Sequence, residues 1–135
     1  GLNALSTVMG SVTKIIICAD SLQSNGAVLS QIGSAMIATV GNYYHVPFLI
    51  CCETYNFSER AQMDAFVYNE LGDPDDILDP NHESIQHVKN WKDNPRITLL
   101  NLFYDVIQPK YVTAVLTELG IIPCSSAPVV LRIKN

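Results

Sequence analysis

The chain has 135 residues, of which 48% are hydrophobic and 16% are charged. Eight Lys and Arg residues stand against 13 Asp and Glu residues, so the formal net charge is −5. This composition excludes a disordered chain, which requires low hydrophobicity and high charge. The acidic balance also argues against direct nucleic-acid binding. The length is typical of one domain with a real hydrophobic core.

The apolar runs and the cysteines narrow the class of protein further. Every apolar run is far shorter than the roughly 20 residues that span a membrane, so we predict no membrane partner. No CxxC pair or Cys/His spacing suggests zinc, and we expect no metal and no cofactor. We predict reduced, buried thiols in a cytoplasmic protein. The cysteines are Cys18, Cys51, Cys52 and Cys124.

The first half of the chain alternates between helical and strand patterns. Residues 2–9 have the apolar spacing of the end of a helix. Residues 15–19 form an apolar, β-branched run, which predicts a buried strand. A polar loop follows, and Gly26 is predicted to precede a long helix that ends near Gly41. Residues 46–52 are predicted to form a second buried strand.

The second half is interrupted by an irregular acidic stretch. A short helix is predicted to begin near Ser58, and residues 72–95 are predicted to be a surface excursion. Residues 97–106 indicate a third strand, residues 109–119 a helix opened by proline, and residues 129–133 a fourth strand. The pattern predicts an α/β fold, a Rossmann-like three-layer domain with a mainly parallel sheet that is incomplete at its N-terminus.

The junction after the first predicted strand is the strongest candidate for a ligand site. Ligands of open α/β sheets bind at the carboxyl ends of the strands, and a helix N-terminus favours a phosphate. Asp20 is placed at the strand tip for proton transfer, and Asn25 and Gly26 precede the predicted helix. The alternative is that these residues only cap the helix and shape the turn. The junction is not a GxGxxG fingerprint.

Several longer strings are specific enough to indicate a family. They are NGAVLSQIG at 25–33, VPFLICCETY at 46–55, NELGDPDD at 69–76, LLNLFYDV at 99–106 and TELGIIPCSS at 117–126. Together they resemble the C-terminal domain of the delta subunits of eukaryotic translation initiation factor 2B. The resemblance covers nearly all of residues 1–135, except the region around 77–95.

This resemblance implies a regulatory role without chemistry of its own. Delta subunits join the related alpha and beta subunits in the core of a guanine-nucleotide exchange factor, whose catalysis belongs to the gamma and epsilon subunits. The core binds the alpha subunit of initiation factor 2 and senses its phosphorylation under stress. The resemblance therefore implies a cytoplasmic, non-enzymatic subunit that mediates assembly of the core.

The wider superfamily offers a second hypothesis. It includes sugar-phosphate isomerases with a similar strand–loop–Asn-Gly segment, which Asp20 and Asn25 match. Cys18 stands in place of a glycine of the isomerases, and Gln31 in place of a lysine. The isomerases also use a cysteine from a preceding segment. The alternative function is a sugar-phosphate isomerase or binding protein, and otherwise Asp20, Asn25 and Gly26 are a vestigial anion site.

Residues 97–105 are the predicted contact with a related subunit. The family's contact between beta and delta subunits lies in this region, and the predicted helix 109–119 would add to it. The four interface residues are Ile97, Leu100, Leu102 and Tyr104. An isolated domain could pair with itself instead, as a two-fold homodimer.

Overall fold

Two four-stranded sheets carry the fold in the computed structural model, which describes residues 1–59, 71–83, 86 and 88–134. In chain order the described strands are β1 (Ile15–Cys18), β2 (Ser21–Gln23), β3 (Val28–Gln31), β4 (Phe48–Cys51), β5 (Phe57–Ser58), β6 (Tyr104–Ile107), β7 (Ala114–Thr117) and β8 (Gly120–Ile122). The described α-helices are α1 (Leu5–Val8), α2 (Ser34–Tyr43) and α3 (Ala127–Lys134).

The first sheet has the order β1-β4-β7-β8 and is mainly parallel. β1, β4 and β7 pair in parallel, and β8 closes the sheet as an antiparallel hairpin on β7. Phe48, Ile50 and Val115 are fully buried on one face of this sheet. The strands predicted at 15–19 and 46–52 and the mainly parallel α/β sheet are therefore confirmed. The predicted burial of the first strand is wrong, because β1 lies at the sheet edge and Ile16 is 59% exposed.

The second sheet has the order β5-β2-β3-β6 and was missed by the sequence patterns. The first half of the long helix predicted after Gly26 is wrong, because those residues form β3, whereas the second half is confirmed as α2. Asn25-Gly26 instead forms a hairpin turn between β2 and β3, where Gly26 adopts φ +84°. Asn-Gly is a favoured hairpin dipeptide because the turn requires positive φ. The helix begins only at Ser34, after Gly33 at φ +97°.

The third predicted strand and the following helix also need correction. The strand is confined to β6, which pairs antiparallel with β3. Within the described part of the chain, residues 97–103 form one isolated bridge, between Leu102 and Leu71. The helix predicted over 109–119 is wrong, because a 3₁₀ turn at Pro109–Tyr111 leads directly into β7. The main-chain N–H of Thr113 donates to the carbonyl of Phe48 at 2.8 Å, which aligns β7 with β4.

The two ends of the chain are helical. The helix end predicted at 2–9 is confirmed as α1 between two 3₁₀ turns, with Met9 buried beneath it. The strand predicted at 129–133 is wrong, since these residues lie in α3. Pro128 lies in the first turn of α3, where a missing N–H is tolerated.

The irregular acidic stretch is confirmed for its described residues, in which 3₁₀ turns at Pro74–Ile77 and Trp91–Asp93 are the regular elements. Lys92 and Asp75 form an exposed ion pair at 2.7 Å. The helix predicted near Ser58 lies almost entirely outside the described residues, and Ser58 itself ends β5. No helix in the described part of the chain is long and apolar enough to cross a membrane.

Candidate functional site

A cavity of about 420 Å³ opens where β1 ends and α2 begins. We call it the strand-end cavity. Its lining includes Cys18 and Asp20, which follow β1, and Gln31, Gly33 and Ser34, which lead into α2. This is the edge at which ligands bind in open α/β sheets, and of the three predicted site residues Asp20 lies in the lining.

The structure separates the three residues of the predicted anion site. Asp20 lines the cavity with an exposed side chain, and its main-chain N–H is bonded to the carbonyl of Leu29. Asn25 lies in the β2–β3 turn, where its Oδ1 accepts from the N–H of Ala27 at 3.1 Å. Gly26 is buried in the same turn. The helix N-terminus at the cavity is therefore that of α2, at Gly33 and Ser34.

A carboxylate already caps this helix N-terminus. The Asp105 Oδ2 atom accepts from the N–H of Gly33 at 2.8 Å and from the N–H of Ala35 at 3.1 Å. A negative charge is favoured there by the helix dipole. Asp105 lies on β6, far away in sequence, and the sequence patterns did not identify it as a capping residue.

The charge of the strand-end cavity follows from these contacts. Asp105 already accepts from two of the amides at this helix N-terminus, and Asp20 places a carboxylate in the lining of the cavity. No Lys or Arg lies among the described lining residues. The lining of the cavity therefore favours ligands that donate hydrogen bonds over free anions.

A second cavity of about 260 Å³ lies at the carboxyl ends of β1, β4 and β7. Cys18, Cys51, Glu53, Tyr55 and Glu118 are among its lining residues. The Glu118 carboxylate accepts from the Thr54 N–H at 3.0 and 3.2 Å and from the Thr54 hydroxyl. A hydrogen bond to Glu53 raises the pKa of the Tyr55 hydroxyl above its ordinary value.

The four cysteines differ in exposure. Cys52 and Cys124 are buried, as predicted, and burial raises the pKa of each thiol from 9.0 to about 11. Cys51 is half-buried. Cys18 is exposed, so the prediction of a buried thiol is wrong for Cys18, which ends the edge strand β1. No group of three or more metal-ligating side chains occurs among the described residues.

The predicted interface residues lie beside an exposed apolar area. Ile97 is 36% exposed and Leu100 is 43% exposed, whereas Leu102 and Tyr104 are half-buried. Three further exposed apolar residues adjoin them: Leu71 bridges to Leu102, Phe103 follows it, and the Ile32 N–H donates to the carbonyl of Phe103. We call these seven residues the 97–104 surface.

Residues 2–124 match the model of the initiation factor 2 subunit family. The chain is 40% identical over 134 residues to translation initiation factor eIF2B subunit delta of Dictyostelium discoideum, and 37% identical over 135 residues to that of Schizosaccharomyces pombe. Both alignments cover 97% of this chain, but only 22% and 29% of those relatives. The chain thus spans less than a third of their length.

An isomerase and two solved structures are also similar. Ribose 1,5-bisphosphate isomerase of Pyrococcus furiosus is 35% identical over 124 residues, covering 92% of this chain and 36% of the enzyme. Structures of 5-methylthioribose 1-phosphate isomerase from Pyrococcus horikoshii and of eIF-2B subunit delta from A. fulgidus each superpose with a TM-score of 0.76 at 24% identity. They cover 99% and 97% of this chain, and 36% and 37% of those chains. These likenesses confirm the fold class, and the matched sequences show that the chain belongs to the initiation factor 2 subunit family.

Proposed function

We propose that the chain is part of a regulatory, non-catalytic subunit of the guanine-nucleotide exchange factor for translation initiation factor 2. The observation that carries this proposal is the identity of 40% and 37% to two delta subunits over 97% of this chain. Its partners would be the related alpha, beta, gamma and epsilon subunits and the alpha subunit of initiation factor 2, in the cytoplasm. The domain assignment, residues 1–135 as a C-terminal Rossmann-like domain, is part of the same proposal.

The 97–104 surface is the proposed contact with a related subunit. Large apolar side chains that stay exposed beside one another are typical of an interface. Complete burial of such a side chain contributes roughly 1.5–3 kcal/mol. Because Ile97 and Leu100 are already partly covered, each would contribute less than that on docking. A contact of this kind would transmit phosphorylation of the substrate as a population shift between arrangements of the core.

Co-elution with a purified beta subunit tests the proposed contact. The Leu100→Asp variant should elute separately, because a charge would be buried in the interface without a partner. Leu119→Asp is the matched control, since Leu119 is 74% exposed in the β7–β8 turn of the other sheet. Leu102→Asp is a second variant, although Leu102 also bridges to Leu71.

The outcomes separate docking from folding. If the Leu100→Asp and Leu102→Asp variants are folded and still co-elute with the beta subunit, the interface assignment is wrong. In the absence of a partner, the same variants should shift any two-fold homodimer of the isolated chain toward monomer.

Sugar-phosphate chemistry is the second candidate function. Two observations favour it: the identity of 35% to ribose 1,5-bisphosphate isomerase and the position of Asp20 in the strand-end cavity. The uncharged Gln31, the exposed Cys18 and the capping of α2 by Asp105 count against phosphate binding there. The role of Asp20, Asn25 and Gly26 as a vestigial anion site remains a proposal.

Titration with ribose 1,5-bisphosphate distinguishes the two functions. The regulatory proposal predicts no turnover and no thermal shift that depends on Asp20. Saturable binding or isomerisation that is lost in the Asp20→Ala variant, with an unchanged far-ultraviolet circular dichroism spectrum, would favour the isomerase instead.

A further inference from the structure

Two cysteines lie side by side at the carboxyl ends of neighbouring strands. Cys18 of β1 and Cys51 of β4 are register partners in the parallel pair. Register partners project their side chains from the same face of a sheet, and neighbouring strands lie about 4.8 Å apart. Disulfides bridge Cα atoms roughly 4.4–6.8 Å apart. The backbone geometry is therefore compatible with a bond between these two sulfurs.

The other cysteine pairings are less favourable. Cys52 lines the second cavity with Cys18 and Cys51, but it is only 4% exposed and its thiol donates to the carbonyl of Glu53 at 3.6 Å. Cys124 is buried against the turn at Gly26. Burial holds the pKa of both thiols at about 11, so they remain protonated and unreactive near neutral pH. Cys18 differs from Cys52 and Cys124 because its side chain is exposed to solvent.

We propose that Cys18 and Cys51 form a reversible, intrachain disulfide when the chain meets a hydroperoxide. The Cys18 thiolate would attack one oxygen of the hydroperoxide and break its O–O bond. This gives a sulfenic acid at Cys18, and the other oxygen leaves as water or an alcohol. The Cys51 thiol would then attack the Cys18 sulfur, forming the S–S bond and releasing a water. Both thiols are oxidised, the peroxide O–O bond is reduced, and the two thiol protons leave in the products.

The position of the pair predicts a bond that is easily reduced. Side chains of parallel register partners leave the sheet side by side, so their Cβ atoms start near the strand spacing of about 4.8 Å. A relaxed disulfide has a Cβ separation of about 3.8 Å, so β1 must shift toward β4. β1 is the edge of its sheet among the described strands, which permits the shift. Strained disulfides are the labile ones.

The expected consequence lies in the two cavities. Cys18 lines both the strand-end cavity with Asp20 and the second cavity with Glu118, and Cys51 lines the second. The disulfide would therefore remove a free thiol from the lining of both cavities. This inference is independent of the proposed regulatory function, because it depends only on the strand register and the exposure of the thiols.

Peptide mapping of the full chain tests the proposal. Reduced protein is treated with hydrogen peroxide, free thiols are alkylated, and the digest is analysed without reduction. Trypsin leaves Cys18, Cys51 and Cys52 in one peptide, because residues 15–59 contain no Lys or Arg. An aspartate-specific protease that cleaves before Asp20 separates Cys18 from the other two.

The expected result is a cross-linked Cys18–Cys51 peptide pair that dithiothreitol returns to two alkylatable thiols. Cys18→Ser and Cys51→Ser should each abolish the cross-link, and the control Cys124→Ser should keep it. A Cys51–Cys52 bond, a Cys18–Cys18 bond between chains, or an irreversible sulfinic acid at Cys18 without a cross-link would overturn the proposal. A Cys18–Cys52 bond would overturn it as well. If a variant fails to fold, fragmentation of the cross-linked peptides from the unmodified chain between Cys51 and Cys52 still decides between these outcomes.

Discussion

Asp105 offers a quantitative test of how the strand-end cavity is built. Its carboxylate accepts two main-chain hydrogen bonds at the start of α2, at 2.8 and 3.1 Å, and it is half-buried. Removing a capping side chain costs about 0.5–2 kcal/mol, and the interaction of a partly buried charge with the helix dipole is worth up to about 2 kcal/mol. Because these two terms overlap, we expect Asp105→Ala to lower the free energy of unfolding by about 2–3 kcal/mol.

Two further variants separate the charge from the hydrogen bonds. Asp105→Asn keeps one accepting oxygen and loses the charge, so we expect a loss of about 1 kcal/mol. Asp76→Ala is the matched control, because Asp76 is an exposed carboxylate in the acidic stretch. A surface substitution of this kind changes stability by less than about 0.5 kcal/mol.

Urea unfolding followed by circular dichroism measures these differences. With a slope of about 2 kcal/mol per molar urea, the midpoint for Asp105→Ala should fall by about 1–1.5 M at an unchanged slope. If Asp105→Ala unfolds at the same urea concentration as Asp76→Ala, the carboxylate does not hold the helix. The amides of Gly33 and Ala35 would then be open to a bound anion, and the argument against a phosphate in the cavity would be refuted.

Further predictions concern the turns and the thiols. Gly26→Ala should destabilise by about 2–4 kcal/mol, because φ is +84° and the new Cβ would lie 3.3 Å from the Cys124 carbonyl and Pro109. Gly120→Ala, at φ +122° with nothing within 4 Å of the new Cβ, should cost less in the same urea unfolding experiment, and an equal loss would contradict the packing argument. The raised pKa of Cys52 and Cys124 stabilises the fold below pH 9, and this contribution should be lost as the pH rises from 9 to about 11. The double variant Cys52→Ala/Cys124→Ala should show a smaller fall in unfolding free energy over that range. Iodoacetamide at neutral pH should modify Cys18 before Cys52 or Cys124, and simultaneous modification would contradict the observed burial.

The strands β1 and β4 could be predicted because continuous apolar runs are typical of parallel strands, but the pattern did not indicate that β1 lies at the edge with Ile16 exposed. Residues 28–31 and 109–119 misled the helix prediction, because their apolar spacing fits a helix while tertiary pairing favours strands. In the first case the Asn25-Gly26 dipeptide was the signal that could have identified the hairpin.

The candidate site could be predicted only in its position. Asp20 at the end of β1 follows from the strand pattern. The contact between Asp105 and Gly33 spans 72 residues, and no local pattern contains such a pairing. The register of Cys18 with Cys51 likewise depends on how two separate strands align, which only the folded chain defines.

The central claim, that the chain acts by docking onto related subunits, is tested most directly by the dissociation constant between the full chain and a purified beta subunit. We predict that Leu100→Asp raises this constant at least about tenfold, which corresponds to about 1.4 kcal/mol, whereas Leu119→Asp leaves it unchanged. A folded Leu100→Asp variant that binds as tightly as the unmodified chain would contradict the claim.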